Sequence, residues 1–178
     1  MEKKTTLKDD VRAKYKSLGY GDSWIDKRLE QIEVHKELVA LWNKRGIKSP
    51  TEYAQLIDTI LLTWSGHTTR EYKMFKLLKL DKEDLHDNMN SAELHFATLA
   101  EKETLDIMKS IKRQKKMGFE VNKGFALTGA KKAARARQKY EDKHGTNVVK
   151  GENFREFMEK KTTAAPPLQG EEKPPASQ

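Results

Sequence analysis

Residues 110–145, SIKRQKKMGFEVNKGFALTGAKKAARARQKYEDKHG, hold eleven lysines and arginines against three acids, and no proline. Side chains of this kind neutralise phosphate, Lys as a point charge and Arg as a two-pronged donor. The cations come in two clusters. Lys112, Arg113, Lys115 and Lys116 stand together, and Lys131, Lys132, Arg135, Lys139 and Lys143 follow, with Arg137 at their edge. On a helical projection Ala126, Ala130, Ala133, Ala134 and Tyr140 gather on one side, and the second cluster covers the remaining surface. Part of this has an ordinary cause, because cations near a helix C-terminus gain about 0.3–1 kcal/mol from the macrodipole. A solvated helix face is therefore the alternative reading. Two successive clusters with so few acids exceed that explanation, and the pattern predicts contact with a nucleic-acid backbone. Only Phe119, Phe125 and Tyr140 interleave with the cations, too few for single-strand base stacking. No helix-turn-helix or other base-reading motif is present, so the expected contact is to phosphate, with low sequence preference.

The remaining candidates for chemistry are weaker. His35, His67, His86, His95 and His144 form neither HExxH nor a tight ligand pair, and a zinc site needs three or four convergent ligands. His35 lies on an otherwise apolar helix face and reads as a packed, hydrogen-bonded core histidine. The stretch DKEDLHDN at 81–88 has four carboxylates but lacks the glycine and the terminal glutamate of an EF-hand loop, so it reads as a solvated acidic cap. Ser65, His67 and Asp87 have no nucleophile elbow around the serine, and no glycine-rich phosphate loop occurs. Cysteine is absent altogether, which excludes disulfides, thiol catalysis and cysteine zinc sites. The sequence predicts no catalytic residue, no metal site and no cofactor, that is, a protein that is not an enzyme.

The elements that must present the basic stretch are helical, and their ends are written in the sequence. Ser49, Pro50 and Glu52 form a capping box with proline at the first helical position, and Gly66 stops the helix. Tyr53, Leu56, Ile57, Ile60, Leu61 and Trp64 follow the spacing of one buried face. Upstream, a helix over 22–46 has the stripe Ile25, Leu29, Ile32, Val39 and Trp42, and a shorter one covers 7–18. Trp42 and Trp64, each just before a glycine, are expected as buried anchors. Thr68 with Glu71 and Asn90 with Glu93 are two further capping boxes. The second opens a helix over 91–113 that should bury Phe96, Leu99, Ile107 and Ile111. A short helix is expected from Asp81, and another over 122–143 ended by Gly145, with Val148 and Val149 as a short extended segment. The fold class expected is all-α, about six to seven helices.

Charge divides along the chain. Residues 1–100 hold 17 basic and 16 acidic residues, whereas 101–161 hold 17 and 9, so nearly all of the net charge of +8 sits in one third of the sequence. A localised field suggests an acidic partner, nucleic acid or protein. The domain expectation is a helical domain over 1–161, near-neutral up to 100 and basic beyond, followed by a tail over 162–178. That tail holds four of the five prolines and few large apolar residues, so it is predicted to be disordered. The N-terminus turns acidic before any apolar run and does not read as a signal peptide. The longest run of Ile and Leu, at 60–62, is far too short to cross a bilayer. The expected location is the cytoplasm, in association with the nucleoid.

Residues 12–155 resemble the C-terminal half of DNA-damage-inducible protein D and of BRO-type phage antirepressor proteins. TWSGHTTREYK followed by DNMNSAEL is the most specific part, and GFEVNK and GTNVVKGENF continue it in order. The resemblance implies a regulator in a bacterial cell or phage-infected host, linked to the SOS response and recombinase control. Such proteins usually have an N-terminal BRO domain, thought to bind DNA. That domain is expected to be absent here, which removes the main warrant for sequence-specific repression. A departure is LTGAKKAARARQ, where the family has a Gly-Gly pair near Gly129, implying a less kinked helix. Two functions are expected. The first is a non-enzymatic regulator that associates with DNA through its C-terminal basic helices. The alternative is a protein-binding inhibitor or adaptor acting on a host or phage regulatory protein through exposed faces of 25–42 and 53–64.

Overall fold

The computed structural model describes residues 7–111 and 117–155. The predicted tail and the first cationic cluster, Lys112, Arg113, Lys115 and Lys116, lie outside the described residues. Among the described residues six helices follow one another: α1 (Leu7–Ser17), α2 (Asp22–Lys44), α3 (Pro50–Ser65), α4 (Thr69–Phe75), α5 (Ser91–Ser110) and α6 (Gly118–His144), with one 3-10 turn at His86–Asn88. Among the described residues there is no strand, and the fold is all-α.

The caps act where the sequence places them. Ser49 N–H donates to Glu52 at 3.3 Å, Thr68 N–H to Glu71 at 2.8 Å and Asn90 N–H to Glu93 at 2.7 Å. Each bond satisfies a donor that the first helical turn leaves orphaned. Gly66 (φ +84°) and Gly145 (φ +61°) end α3 and α6 in the left-handed region.

α5 is central. It packs against α2 and α6, while α3 lies against α6 and α5. Trp42 and Trp64 are buried, as are Ile25, Leu38, Leu56, Leu94 and Met108, and Ala126, Ala130, Ala133 and Val148 join the same core. Residues on both sides of position 100 thus share one interior. Small residues set the α5–α6 spacing: a Cβ on Gly129 would fall 2.4 Å from the backbone nitrogen of Thr104.

Several expectations change. α6 begins at Gly118 rather than 122, because Asn122 is buried inside the helix and its side-chain amide donates to the Gly118 carbonyl. α5 ends at Ser110 rather than 113, and besides Phe96 it buries Leu94, Ala97, Leu105 and Met108, while Leu99, Ile107 and Ile111 are only partly covered. Packing on two sides widens its buried arc. In α2 the stripe rotates to include Trp24, Arg28, Gln31 and Leu38, with Leu29, Ile32 and Val39 half-buried. The helix expected from Asp81 is instead a run of turns ending in the 3-10 turn. Its Asp84 and Asp87 bind Arg28 at 3.1 and 2.8 Å, so this segment is docked rather than a solvated cap.

One buried ion pair ties α4, α5 and the segment after α6 together. Lys76 Nζ lies 2.9 Å from Glu93, and both side chains are fully buried. Lys76 also donates to the carbonyls of Lys150 and Glu152. Glu93 also accepts from the Tyr72 hydroxyl at 2.7 Å and from Lys150 N–H at 3.1 Å. Burial pushes the Lys76 pKa down and Glu93 pulls it back. Immediately after Lys76 the chain makes a Schellman turn, with Leu77 N–H on the Met74 carbonyl and Leu78 N–H on Lys73. Its left-handed position holds Leu77 (φ +57°), 90% exposed, where glycine is favoured.

Two outcomes follow from this corner. Lys76→Ala should cost about 3–5 kcal/mol in chemical denaturation, because it leaves a buried carboxylate without its cation, and Lys76→Met with Glu93→Gln should cost less. Leu77→Gly should raise stability by about 0.5–1 kcal/mol by relieving the left-handed backbone. A loss there would mean that the leucine side chain contributes to folding.

Candidate functional site

The face of α6 turned away from the core holds the second cationic cluster. Asn122, Ala126, Gly129, Ala130 and Ala133 are buried, and Lys131, Lys132, Arg135, Lys139 and Lys143 are exposed. Tyr140 is not part of the alanine face. It sits at the rim, edge-on to Phe96 at 5.8 Å and stacked on His144 at 4.2 Å. Lys131, Arg135, Lys139 and Lys143 stand four residues apart and form one ridge, about 18 Å long at 1.5 Å per residue. Phosphates of one DNA strand advance about 3.4 Å each, so a ridge of this length runs past roughly five of them.

The cations of α6 are not equivalent. Lys132 is engaged by Glu103 at 2.7 Å, and the half-buried Arg137 faces Glu141 at 3.8 Å. The four ridge residues make no ion pair among the described residues. Lys123 lies over the Phe119 ring, and the buried Arg45 over Phe125. Arg45 also donates to the Met108 carbonyl in the last turn of α5, so its charge is met by a helix C-terminus.

A second cluster was not singled out in the sequence. α2, α3, α5 and the 84–86 segment enclose a cleft of about 360 Å³. The buried Glu101 accepts from Gln31 at 3.2 Å and meets His35 Nδ1 at 2.7 Å. Arg28 donates to Asp84, Asp87 and the side-chain oxygen Oε1 of Gln31. The hydrogen bond to Glu101 raises the His35 pKa. Burial pushes that of His86 down, with Arg28 acting in the same direction. Trp64 borders the cleft and its indole N–H has no acceptor, a deficit of about 1–3 kcal/mol for a buried donor. Arg28, Gln31 and His35, spaced three and four apart along α2, were the sequence signal for this cluster. His35 does find a hydrogen-bond partner, as expected, but at the wall of a cleft. Among the described residues no group of acids and histidines is placed to hold a metal ion.

No family model, curated protein or solved structure matches the chain. No helix among the described residues is long and apolar enough to cross a membrane.

The two histidines respond to pH with opposite sign. His35 is favoured in its charged form when folded, so its contribution to stability is complete below about 6.5 and lost as pH rises through the raised midpoint. His86 is favoured neutral, so its contribution is present above about 6.5 and lost as pH falls through the lowered midpoint. NMR titration should find the His35 midpoint above that of a model peptide, and Glu101→Gln should bring it down. A His35 midpoint at or below about 6.5 in the wild type would contradict the assigned hydrogen bond.

Proposed function

We propose that the protein associates with duplex DNA through phosphate contacts of the α6 ridge, as a non-enzymatic regulator. The observation that supports this reading is the ridge itself: four exposed cations on one helix face with no acid drawn to them. Of the neighbouring α6 cations, Lys132 and Arg137 face acids, Glu103 and Glu141. The ridge offers charge and regular spacing without a base-reading side chain, so it suits backbone contact of low sequence preference. The resemblance to DNA-damage-inducible protein D and BRO-type antirepressors agrees with a regulatory role in a bacterial or phage setting, in the cytoplasm and at the nucleoid.

A protein-binding adaptor is the second reading. Exposed apolar residues occur on α3 at Leu62 and at the end of α4 at Met74, Phe75 and Leu77. A left-handed leucine left 90% exposed is the observation that favours this reading.

Salt titration separates the two. Four phosphate contacts should give a slope of log affinity against log salt near −3.6, about a hundredfold loss between roughly 50 and 200 mM. Glu at all four of Lys131, Arg135, Lys139 and Lys143 should abolish binding and leave the helical circular dichroism unchanged, whereas Lys132→Glu alone should weaken binding far less. Absence of DNA binding by the wild type at low salt would remove the first reading. Partner capture that survives nuclease and the charge reversals, but not Leu77→Ser, would establish the second.

A further inference from the structure

We infer that the outer face of α4 and the turn behind it form a self-association surface, in which Leu77 of one copy seats in the α3–α4 groove of a second copy. Leu77 is 90% exposed at φ +57°, and Met74, three residues before it, is 56% exposed. Burial of Lys76 accounts for the turn, but the turn itself favours glycine at this position. A large apolar side chain held there at a backbone cost, and left in water, points to a contact outside the chain.

The groove lies beside this knob. Ala54, Ile57 and Leu80 supply its apolar lining, and its volume is about 440 Å³. Hydrogen bonds fix its walls. The Thr69 N–H and hydroxyl donate to Asp58 at 2.9 and 2.6 Å, tying the start of α4 to α3, and Lys73 donates to the Leu80 carbonyl at 2.8 Å. Lys73 and Leu80 stand four residues before and three residues after Leu77, so knob and groove adjoin. Such a pair is self-complementary: a two-fold rotation seats each leucine in the other copy's groove and closes the assembly at two. The charges agree with this. Arg70 and Asp81 both line the groove and are exposed, and neither meets an opposite charge among the described residues. The same rotation sets Arg70 of each copy against Asp81 of the other, whereas a purely apolar partner would leave both unmatched. Exposed ion pairs fix register more than affinity. A seven-residue helix with its turn is also a small face beside the about 1,200–2,000 Å² of stable complexes, so the dimer is weak. None of the groove residues belongs to α6, so the dimer leaves the cationic ridge outside its interface.

The test is sedimentation velocity on the full chain without DNA, from roughly 10 µM to 1 mM protein at near-physiological salt. The mass should pass from monomer to dimer with a Kd on the order of 0.1 mM. Leu77→Ser should weaken association more than tenfold, because each dimer loses the buried leucine twice. Arg70→Glu should weaken it as well, and adding Asp81→Lys to that variant should restore it, since the swapped charges again face each other. All three variants change exposed positions and should keep the helical circular dichroism of the wild type. A monomer at every concentration, a dimer indifferent to Leu77→Ser, or a double variant no better than Arg70→Glu alone would each overturn the surface. Capture of a different protein by a monomeric chain, lost in Leu77→Ser, would assign the face to a foreign partner and overturn the second copy. Because no DNA is present, neither result bears on the salt titration of the α6 ridge.

Discussion

The buried Lys76–Glu93 pair is the constraint on which the arrangement of α4, α5 and the chain beyond α6 depends. Glu93 sits at the third position of α5, where its carboxylate closes the capping box with Asn90. The same carboxylate accepts from Tyr72, Lys76 and the Lys150 backbone. Lys76 returns two donors to the carbonyls of Lys150 and Glu152. A buried charge is tolerated only when it is paired and its remaining valences are filled. Here that requirement brings three distant stretches of chain to one point. The turn that delivers Lys76 inward also turns Leu77 outward, so the strained, exposed leucine is a consequence of how the ammonium group is buried.

The rest of the charge is divided between two regimes. At the cleft, opposite charges are half-buried and matched: Arg28 with Asp84 and Asp87, Glu101 with His35. Along α6 the cations stand exposed, with only Lys132 and Arg137 facing acids. Matched and shielded charges hold elements in place, while unmatched exposed ones project a field that an external polyanion can enter. The close approach of α6 to α5 at Gly129 and Thr104 makes this separation possible. A helix whose inner face is alanine and glycine leaves its long side chains to the outside.

Arg45 shows a third solution. It is buried without a carboxylate, lies over the Phe125 ring and donates to the end of α5. Burial holds its pKa below the usual guanidinium value. The negative end of a helix and an aromatic face replace the missing counter-ion. α2, α5 and α6 therefore meet at a cation, immediately before the segment where the first basic cluster lies.

Sequence alone determined the features whose partners lie within a few residues. The boxes Ser49–Glu52, Thr68–Glu71 and Asn90–Glu93 and the glycine stops at Gly66 and Gly145 are local hydrogen-bond and dihedral rules. The starts of α3, α4 and α5 and the ends of α3 and α6 were legible for that reason. The all-α class and the outward placement of Lys131, Lys132, Arg135, Lys139 and Lys143 followed from the helical period. Tertiary structure decided what depends on distant partners. Asp84 and Asp87 hold turns instead of a helix because Arg28, 56 and 59 residues away, binds them. His35 faces a cleft because Glu101, 66 residues away, meets it there. Glu93 could be read as a cap but not as the partner of Lys76. Lys132, identical in sequence terms to Lys131, is neutralised because α5 places Glu103 beside it. A local rule needs only the backbone within a turn or two, whereas pairing a charge requires knowing which helices lie against each other.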